Sequence, residues 1–340
     1  MVRSIYCHFL EGRKCGIMGL QKKLKEAEQT MTNIKRTGVD RHRAKKIKKY
    51  LPLYCLMAFP LLHIFVLKII PLFGVLISFE RYRPTKGIFG SQWVGLDNFR
   101  SFFNSHYFEL IFSNTLILSV LGLIISFPLS IIFALMLNEV RHQRFKKAVQ
   151  MITYAPHFIS VVVLVGVMQQ IFDPTIGILQ FFVGKEAASQ ILLMADPKYF
   201  RLLHIGSGVW QSIGWSSILY TASLSNVSVE LYDAARVDGA TLMQKIRNID
   251  FPCLVPTISI TLIMAIGGIM NTGFDKIYLM QNGTNINVSE VISTFVYKKG
   301  LLQADFGYST AVGLFNSIIN CIMIVGANFT VKKITGESMY

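Results

Sequence analysis

Glu230-Leu-Tyr-Asp233-Ala234-Ala235-Arg-Val-Asp238-Gly239-Ala240-Thr-Leu-Met-Gln244-Lys-Ile246-Arg-Asn-Ile249-Asp-Phe-Pro252, followed by Pro256, is a polar stretch set between two long apolar runs. Its own pattern predicts two short helices. Glu230 to Val237 is a helix former, Asp238-Gly239 is a turn signal, and Ala240 to Ile249 resumes helical spacing until proline stops it. Leu242, Ile246 and Ile249 recur at near-helical intervals, so the second helix carries a narrow apolar stripe with Gln244, Lys245, Arg247 and Asn248 elsewhere. An amphipathic helix of this kind can lie on a membrane, plug a bundle from below, or dock into a soluble partner.

The flanking runs belong to a larger set. A spanning helix needs roughly 20 apolar residues, because the hydrocarbon layer is about 30 Å thick and each residue rises about 1.5 Å. Six stretches qualify: 51–79, 110–137, 149–172, 202–225, 251–270 and 310–331. Composition agrees. The 340 residues are 52% hydrophobic and only 16% charged, with a mean hydropathy of +0.46, too apolar for an ordinary soluble chain. The 34 Lys and Arg against 19 Asp and Glu would suit nucleic acid, but they fall mainly in the first fifty positions and in gaps between apolar runs. That placement sets membrane topology and does not read as nucleic-acid binding.

Arg41, Arg43, Lys45, Lys46, Lys48 and Lys49 stand immediately before the first apolar run, which places the N-terminal arm in the cytoplasm. Arg141, Arg144, Lys146 and Lys147, between the second and third runs, fall on the same side under that assignment. So do Lys332 and Lys333 after the sixth. Both termini and the loop at about 226–250 then face the cytoplasm, while the loops near 80–109, 173–201 and 271–309 face outward. The expected architecture is an all-α polytopic membrane protein: a basic arm over 1–50, a membrane domain of six helices over 51–335, and the loop 226–252 within it. The arm has no apolar core or cleavage site of a removable signal, so the first run is expected to be an uncleaved anchor.

Catalytic patterns are missing from the sequence. No GxxxxGK[ST] phosphate loop is present; the nearest fragment, Gly184-Lys185-Glu186, lacks the hydroxyl residue. No HExxH, paired-carboxylate or Ser, His and Asp pattern stands out, and the seven histidines are scattered. The five cysteines show no CxxC spacing, so neither a zinc site nor a disulfide framework is expected. Lys68 lies about 26 Å along the first helix from Leu51 at about 1.5 Å per residue, so its ammonium can snorkel to the outer interface near Pro71. The fourth run is the most polar, with His204, Gly206, Ser207, Gly208, Trp210, Gln211, Ser212, Gly214, Trp215, Ser216 and Ser217. It belongs inside a bundle or along a pathway, and close packing explains it as well as pathway lining does.

Asp233-Ala-Ala, Asp238-Gly239-Ala240, Gln244, Ile249 and Pro252 resemble the EAA loop of binding-protein-dependent ABC importers, whose pattern is Glu-Ala-Ala, three residues, Gly, nine residues, Ile, two residues, Pro. The Gly239-to-Ile249 and Ile249-to-Pro252 spacings both fit. Asp233 departs from the family glutamate, keeping the charge and shortening the reach by one methylene. Lys68-Ile-Ile-Pro71, Trp93 to Phe99, Asn114-Thr115, Ala134 to Glu139, Tyr154 to Ser160, Trp210 to Tyr220, Gly273-Phe-Asp275 and Ala311 to Phe315 are similar to the sugar-permease branch, in particular its polysaccharide/lipoprotein-type (aldouronate/oligosaccharide) subunits. The resemblance runs from about residue 50 to the C-terminus.

The resemblance implies a type I importer permease in a bacterial plasma membrane. Its EAA loop would form a coupling helix seated in an ATPase subunit, through Glu230, Asp233, Ala234, Ala235, Asp238, Gly239, Ala240, Gln244, Ile249 and Pro252. The chain itself would bind no cofactor and catalyse nothing; ATP and Mg are used by the partner ATPase. Implied partners are a second homologous permease, two ATPase subunits, an extracellular solute-binding protein, an oligosaccharide and membrane lipid. Aromatic stacking and amide hydrogen bonds hold sugars, which makes Gln169, Gln170, Trp210, Gln211, Trp215, Asn271 and Asp275 pathway candidates. Interfacial anchoring or solvation explains such residues equally simply. Two other classes share six spans and a polar helix. An ion-driven secondary transporter would show intramembrane acids, repeats or interrupted helices, and the sequence offers no convincing set. A membrane adaptor or sensor would use the same inner loop for docking.

Overall fold

The structure is a computed structural model that describes residues 47 and 49–335, apart from 179, 182, 183 and 185–190. The basic arm at 1–50 therefore lies almost wholly outside the described residues. The chain divides into two compact units, Met1–Phe73 and Gly74–Tyr340. The described part of the first belongs to α1 (Lys49–Phe79), whose last turns fall in the second unit. Its side chains are exposed almost throughout, Phe59 at 76% and Leu56 at 75%, the inverse of a water-soluble helix. At Phe65–Ile69 α1 widens into a π-turn just ahead of Pro71. Proline lacks the amide hydrogen and crowds the preceding turn, and the wider turn absorbs both defects.

The second unit opens with β1 (Glu80–Arg81) paired antiparallel to β2 (Gln92–Trp93), Glu80 opposite Trp93. Then come α2 (Asp97–Phe103), α3 (His106–Glu139), α4 (Gln143–Tyr154) and α5 (Val161–Ile171). After them follow α6 (Pro197–Ser225), α7 (Val229–Val237) and α8 (Leu242–Gly267). The last four are α9 (Phe274–Met280), α10 (Ile286–Ser289), α11 (Ile292–Tyr297) and α12 (Phe306–Thr335). Among the described residues the chain is all-α apart from one short ribbon, as expected.

The span count differs from the six expected. Among the described residues four helices, α1, α3, α8 and α12, are long and apolar enough to cross a membrane, or five if the bent pair described next is one span. The stretch 149–172, expected to be continuous, is broken: Gln143–Phe158 and Val161–Ile171 meet at 99°. Pro156 removes an amide donor within the tight turn Ala155–Phe158, and Ser160 restarts the helix by accepting from Val163 N at 3.3 Å. The 29-residue α6 has ample length, but its Ser, Gly and Gln content keeps it below the hydropathy of a lipid-facing span.

Three apolar clusters hold the second unit. Leu118, Leu164, Met168, Phe200, Ile277 and Val291 join α3, α5, α6 and α9. Phe102, Ile111, Met270, Ile292, Phe295 and Val312 tie α2 and α12 to the segments between α8 and α12. Ile131, Ala134, Tyr220, Leu224 and Leu254 close the end of α3, α6 and α8. Where α6 crosses the end of α4, Gly214 lies so close to the Thr153 carbonyl and the Tyr154 ring that a Cβ has no room. Asn114 and Thr115 fix the loop before α11. The amide of Asn114 donates to the carbonyls of Asn287 at 2.9 Å and Glu290 at 3.1 Å, and Ile292 N donates to Thr115 Oγ1 at 3.0 Å.

Candidate functional site

The loop between α6 and α8 is built by backbone capping. Ser228 caps α7, its hydroxyl accepting from Glu230 N at 3.2 Å, and Glu230 lies in the first turn where the helix dipole favours an acid. The C-terminus closes on Gly239 at φ 68°: Gly239 N donates to Arg236 O at 3.1 Å and Ala240 N to Ala235 O at 2.9 Å. These two bonds satisfy carbonyls that a helix end leaves orphaned, and glycine takes the left-handed conformation at no steric cost. Nothing lies within 4 Å of a Cβ placed on Gly239, so its requirement is conformational and not one of space.

Gln244 completes a capping box with Thr241. Its amide oxygen accepts from Thr241 N at 2.7 Å while Thr241 Oγ1 accepts from Gln244 N at 3.4 Å. The second helix does not stop at proline as the sequence predicts. It continues as α8 through Pro252 and Pro256, because a π-turn at Ile246–Asp250 frees the backbone just ahead of Pro252. The second helix of the loop and the span are therefore one rod.

Five side chains outside the predicted site residues lock this rod in place. Tyr232 of α7 donates to Asp250 Oδ1 at 2.6 Å, and Asn138 at the end of α3 donates to the same phenol at 3.4 Å. Lys245 forms an ion pair with Glu139, the last residue of α3, and its ammonium stands 5.2 Å from the Tyr232 ring centroid. Burial, reinforced by the bond to Asp250, pushes the Tyr232 phenol up to about 12. Asp250 is fully buried, and its Oδ2 has no partner among the described residues. Residue 139 is 106 positions from 245, so local pattern could not pair them.

Of the predicted loop residues, Glu230, Asp233, Ala234, Asp238, Gly239, Ala240, Gln244 and Pro252 are exposed, and Ala235 and Ile249 half-buried. Asp233 meets Arg236 at 3.3 Å on the surface, a pair worth about 0–1 kcal/mol at most. Beside them Val229, Val237, Leu242 and Met243 are exposed at 68%, 88%, 56% and 71%, an apolar patch unusual on a solvated loop.

A second feature is an open cavity of about 790 Å³ bordered by α3, α6, α8 and the segment that follows α8. Its wall mixes apolar side chains with hydroxyls: Ser119, Ser126 and Ser130 from α3, Tyr220 and Thr261 hydrogen-bonded to one another at 2.9 Å, and Thr272. Two of the predicted pathway residues, Trp215 and Asn271, line it. The others do not. Gln211 donates to Ile159 O at 2.8 Å and so satisfies the break between α4 and α5. Trp210, Gln170 and Asp275 are exposed, and Gln169 lines a separate pocket of about 220 Å³ with Asp173. Hydrogen bonds from the Thr175 side chain and the Thr175 and Ile176 amides hold the Asp173 carboxyl below its ordinary range. Trp215 stacks on His157 at 4.4 Å. The missed hydroxyls had a signal, since Ser119, Gly122, Ser126 and Ser130 repeat on one face of α3. Among the described residues no cluster of His, Cys, Asp or Glu is arranged to hold a metal.

Known proteins match this arrangement. A family model for the binding-protein-dependent transport system inner membrane component matches residues 126–335. The chain is 38% identical to Protein LplB of Bacillus subtilis (strain 168) over 288 residues, 85% of this chain and 91% of that protein. It is also 38% identical to the polygalacturonan/rhamnogalacturonan transport system permease protein YteP of the same organism, over 86% of this chain and 91% of that one. A crystal structure of a bacterial ABC transporter involved in the import of the acidic polysaccharide alginate contains a chain that superposes with a TM-score of 0.79. That chain is 34% identical, and the match covers 86% of this chain and 98% of it. The same TM-score is found against the alginate transporter in complex with an alginate pentasaccharide-bound periplasmic protein. The chain thus belongs to the family of binding-protein-dependent transport system inner membrane components, the non-catalytic permease subunits of ABC transporters.

Proposed function

We propose that the loop 226–252 is the coupling element of this permease, seated on a cytoplasmic ATPase subunit that supplies the ATP and Mg chemistry. The observation that carries the reading is the exposed apolar patch of Val229, Val237, Leu242 and Met243, presented by a helix whose ends are capped and whose continuation is the span α8. A surface that must not deform under load is best made this way, with its helix ends tied by the bonds at Glu230, Gly239, Ala240 and Gln244. The clamp from Tyr232 to Asp250 and from Lys245 to Glu139 makes displacement of α7 a displacement of α8 and of the α3 end together. Alternating access then follows from rigid-body motion of the spans around the cavity.

Positive residues flanking the first, second and last apolar runs support a plasma-membrane topology with both termini cytoplasmic. The complex would contain a second permease, two ATPase subunits and an extracellular solute-binding protein, and would carry an oligosaccharide. Relatives whose names specify polygalacturonan/rhamnogalacturonan and arabinooligosaccharides support that substrate class. The hydroxyl-lined cavity supplies the donors and acceptors a sugar requires, with Trp215 and Asn271 on its wall. Reconstitution with the partner chains in proteoliposomes tests this: oligosaccharide uptake should require ATP and the ATPase subunits. Uptake driven by an ion gradient without them would refute it.

A further inference from the structure

Two cations, one near the start of α6 and one on α9, have no anion to balance them among the described residues. Lys276 of α9 is only 8% exposed, and its ammonium donates to the His204 carbonyl at 2.8 Å, lying against Gly208 one turn on. Arg201, one turn before His204 on the same face, donates from Nη2 to Asn114 Oδ1 at 3.3 Å, and its Nε is buried without a partner. Neither cation forms an ion pair among the described residues. Glu290, whose backbone carbonyl takes the other end of Asn114, commits its carboxylate to Lys298 at 2.6 Å and to Thr294 at 3.1 Å. His204 Nδ1 and Thr272 Oγ1 are likewise buried and unpartnered, and both residues line the 790 Å³ cavity. Buried charge is costly unless an opposite charge arrives to pair with it.

We infer that Arg201, His204 and Lys276 form an anion-reading subsite where the cavity wall reaches His204, selecting oligosaccharides that carry carboxylates. The inference rests on the reading of this chain as an oligosaccharide permease. Cations held by neutral carbonyl and amide oxygens give up little when a uronate carboxylate enters, whereas a neutral sugar leaves them uncompensated.

The test uses the full complex in proteoliposomes, with an oligogalacturonate, an oligomannuronate and the carboxyl-reduced form of each as probes. Lys276→Gln should lower uptake of the transported uronate about tenfold or more, and Lys276→Arg should retain most of it. The binding protein is a separate chain, so its own preference is unaltered by the substitution. If Lys276→Gln fails to reach the membrane, Arg201→Gln carries the same expectation. Uronate uptake unaffected by both substitutions, or wild-type uptake of the neutral forms at the rate of the acids, would overturn the subsite while leaving the permease intact. Absence of ATP-driven uptake of any oligosaccharide would instead overturn the permease reading beneath it.

Discussion

The Tyr232 phenol donates to Asp250 Oδ1 at 2.6 Å, joining the middle of α7 to the π-turn inside α8. Because Asp250 is wholly buried and its other oxygen is unpartnered among the described residues, this one bond carries the full burden of satisfying the carboxyl. Tyr232→Phe should therefore destabilise the protein by about 1–3 kcal/mol, the cost of orphaning a buried polar group. Thermal inactivation of the purified permease complex measures it.

The same phenol sets an alkaline limit. Its folded value is raised from 10.0 to about 12, so the stabilisation it contributes is fully present below the unfolded value. It is lost as pH rises from about 10 through about 12, where the unfolded chain ionises first. Wild type should lose stability more steeply than Tyr232→Phe across that window, and equal slopes would remove the phenol from the account.

Lys245 and Glu139 couple α8 to the end of α3 with side chains 23% and 28% exposed. Either single reversal, Lys245→Glu or Glu139→Lys, should impair ATP-driven uptake, and the double reversal should recover it in part. An interaction energy of about 0.5–3 kcal/mol is expected from the double-mutant cycle on stability.

Gly239 and Gly214 should respond to substitution for different reasons. At Gly239 space is open but φ is 68°, so Gly239→Asn should be tolerated and Gly239→Val should cost about 1–2 kcal/mol. At Gly214 the conformation is ordinary and the Thr153 carbonyl blocks a Cβ. Gly214→Ala should then cost about 1–3 kcal/mol through overpacking, visible as reduced membrane yield.

What the sequence made legible was local. The turn at Asp238-Gly239, the helix before it and the Thr241 to Gln244 start all follow from capping chemistry within a few residues. Apolar runs long enough to span lipid were equally plain at α1, α3, α8 and α12. Two errors came from proline. Pro156 breaks a run that looked continuous, while Pro252 fails to stop a helix because a π-turn precedes it. Whether proline breaks or passes depends on how neighbouring carbonyls are satisfied, here by Gln211 at Ile159. Pairings across α3, α7 and α8, and the cavity they bound, depend on helix packing that composition does not encode.

In the proposed mechanism the loop around Gly239 delivers force from an ATPase. Val237, 88% exposed on that loop, offers the most direct measurement. A photo-crosslinker at position 237 in the intact complex should capture an ATPase subunit in membranes, and an impermeant thiol reagent added outside should fail to label Val237→Cys in a background lacking the native cysteines. Labelling from outside, or crosslinks to every partner except the ATPase, would contradict the account.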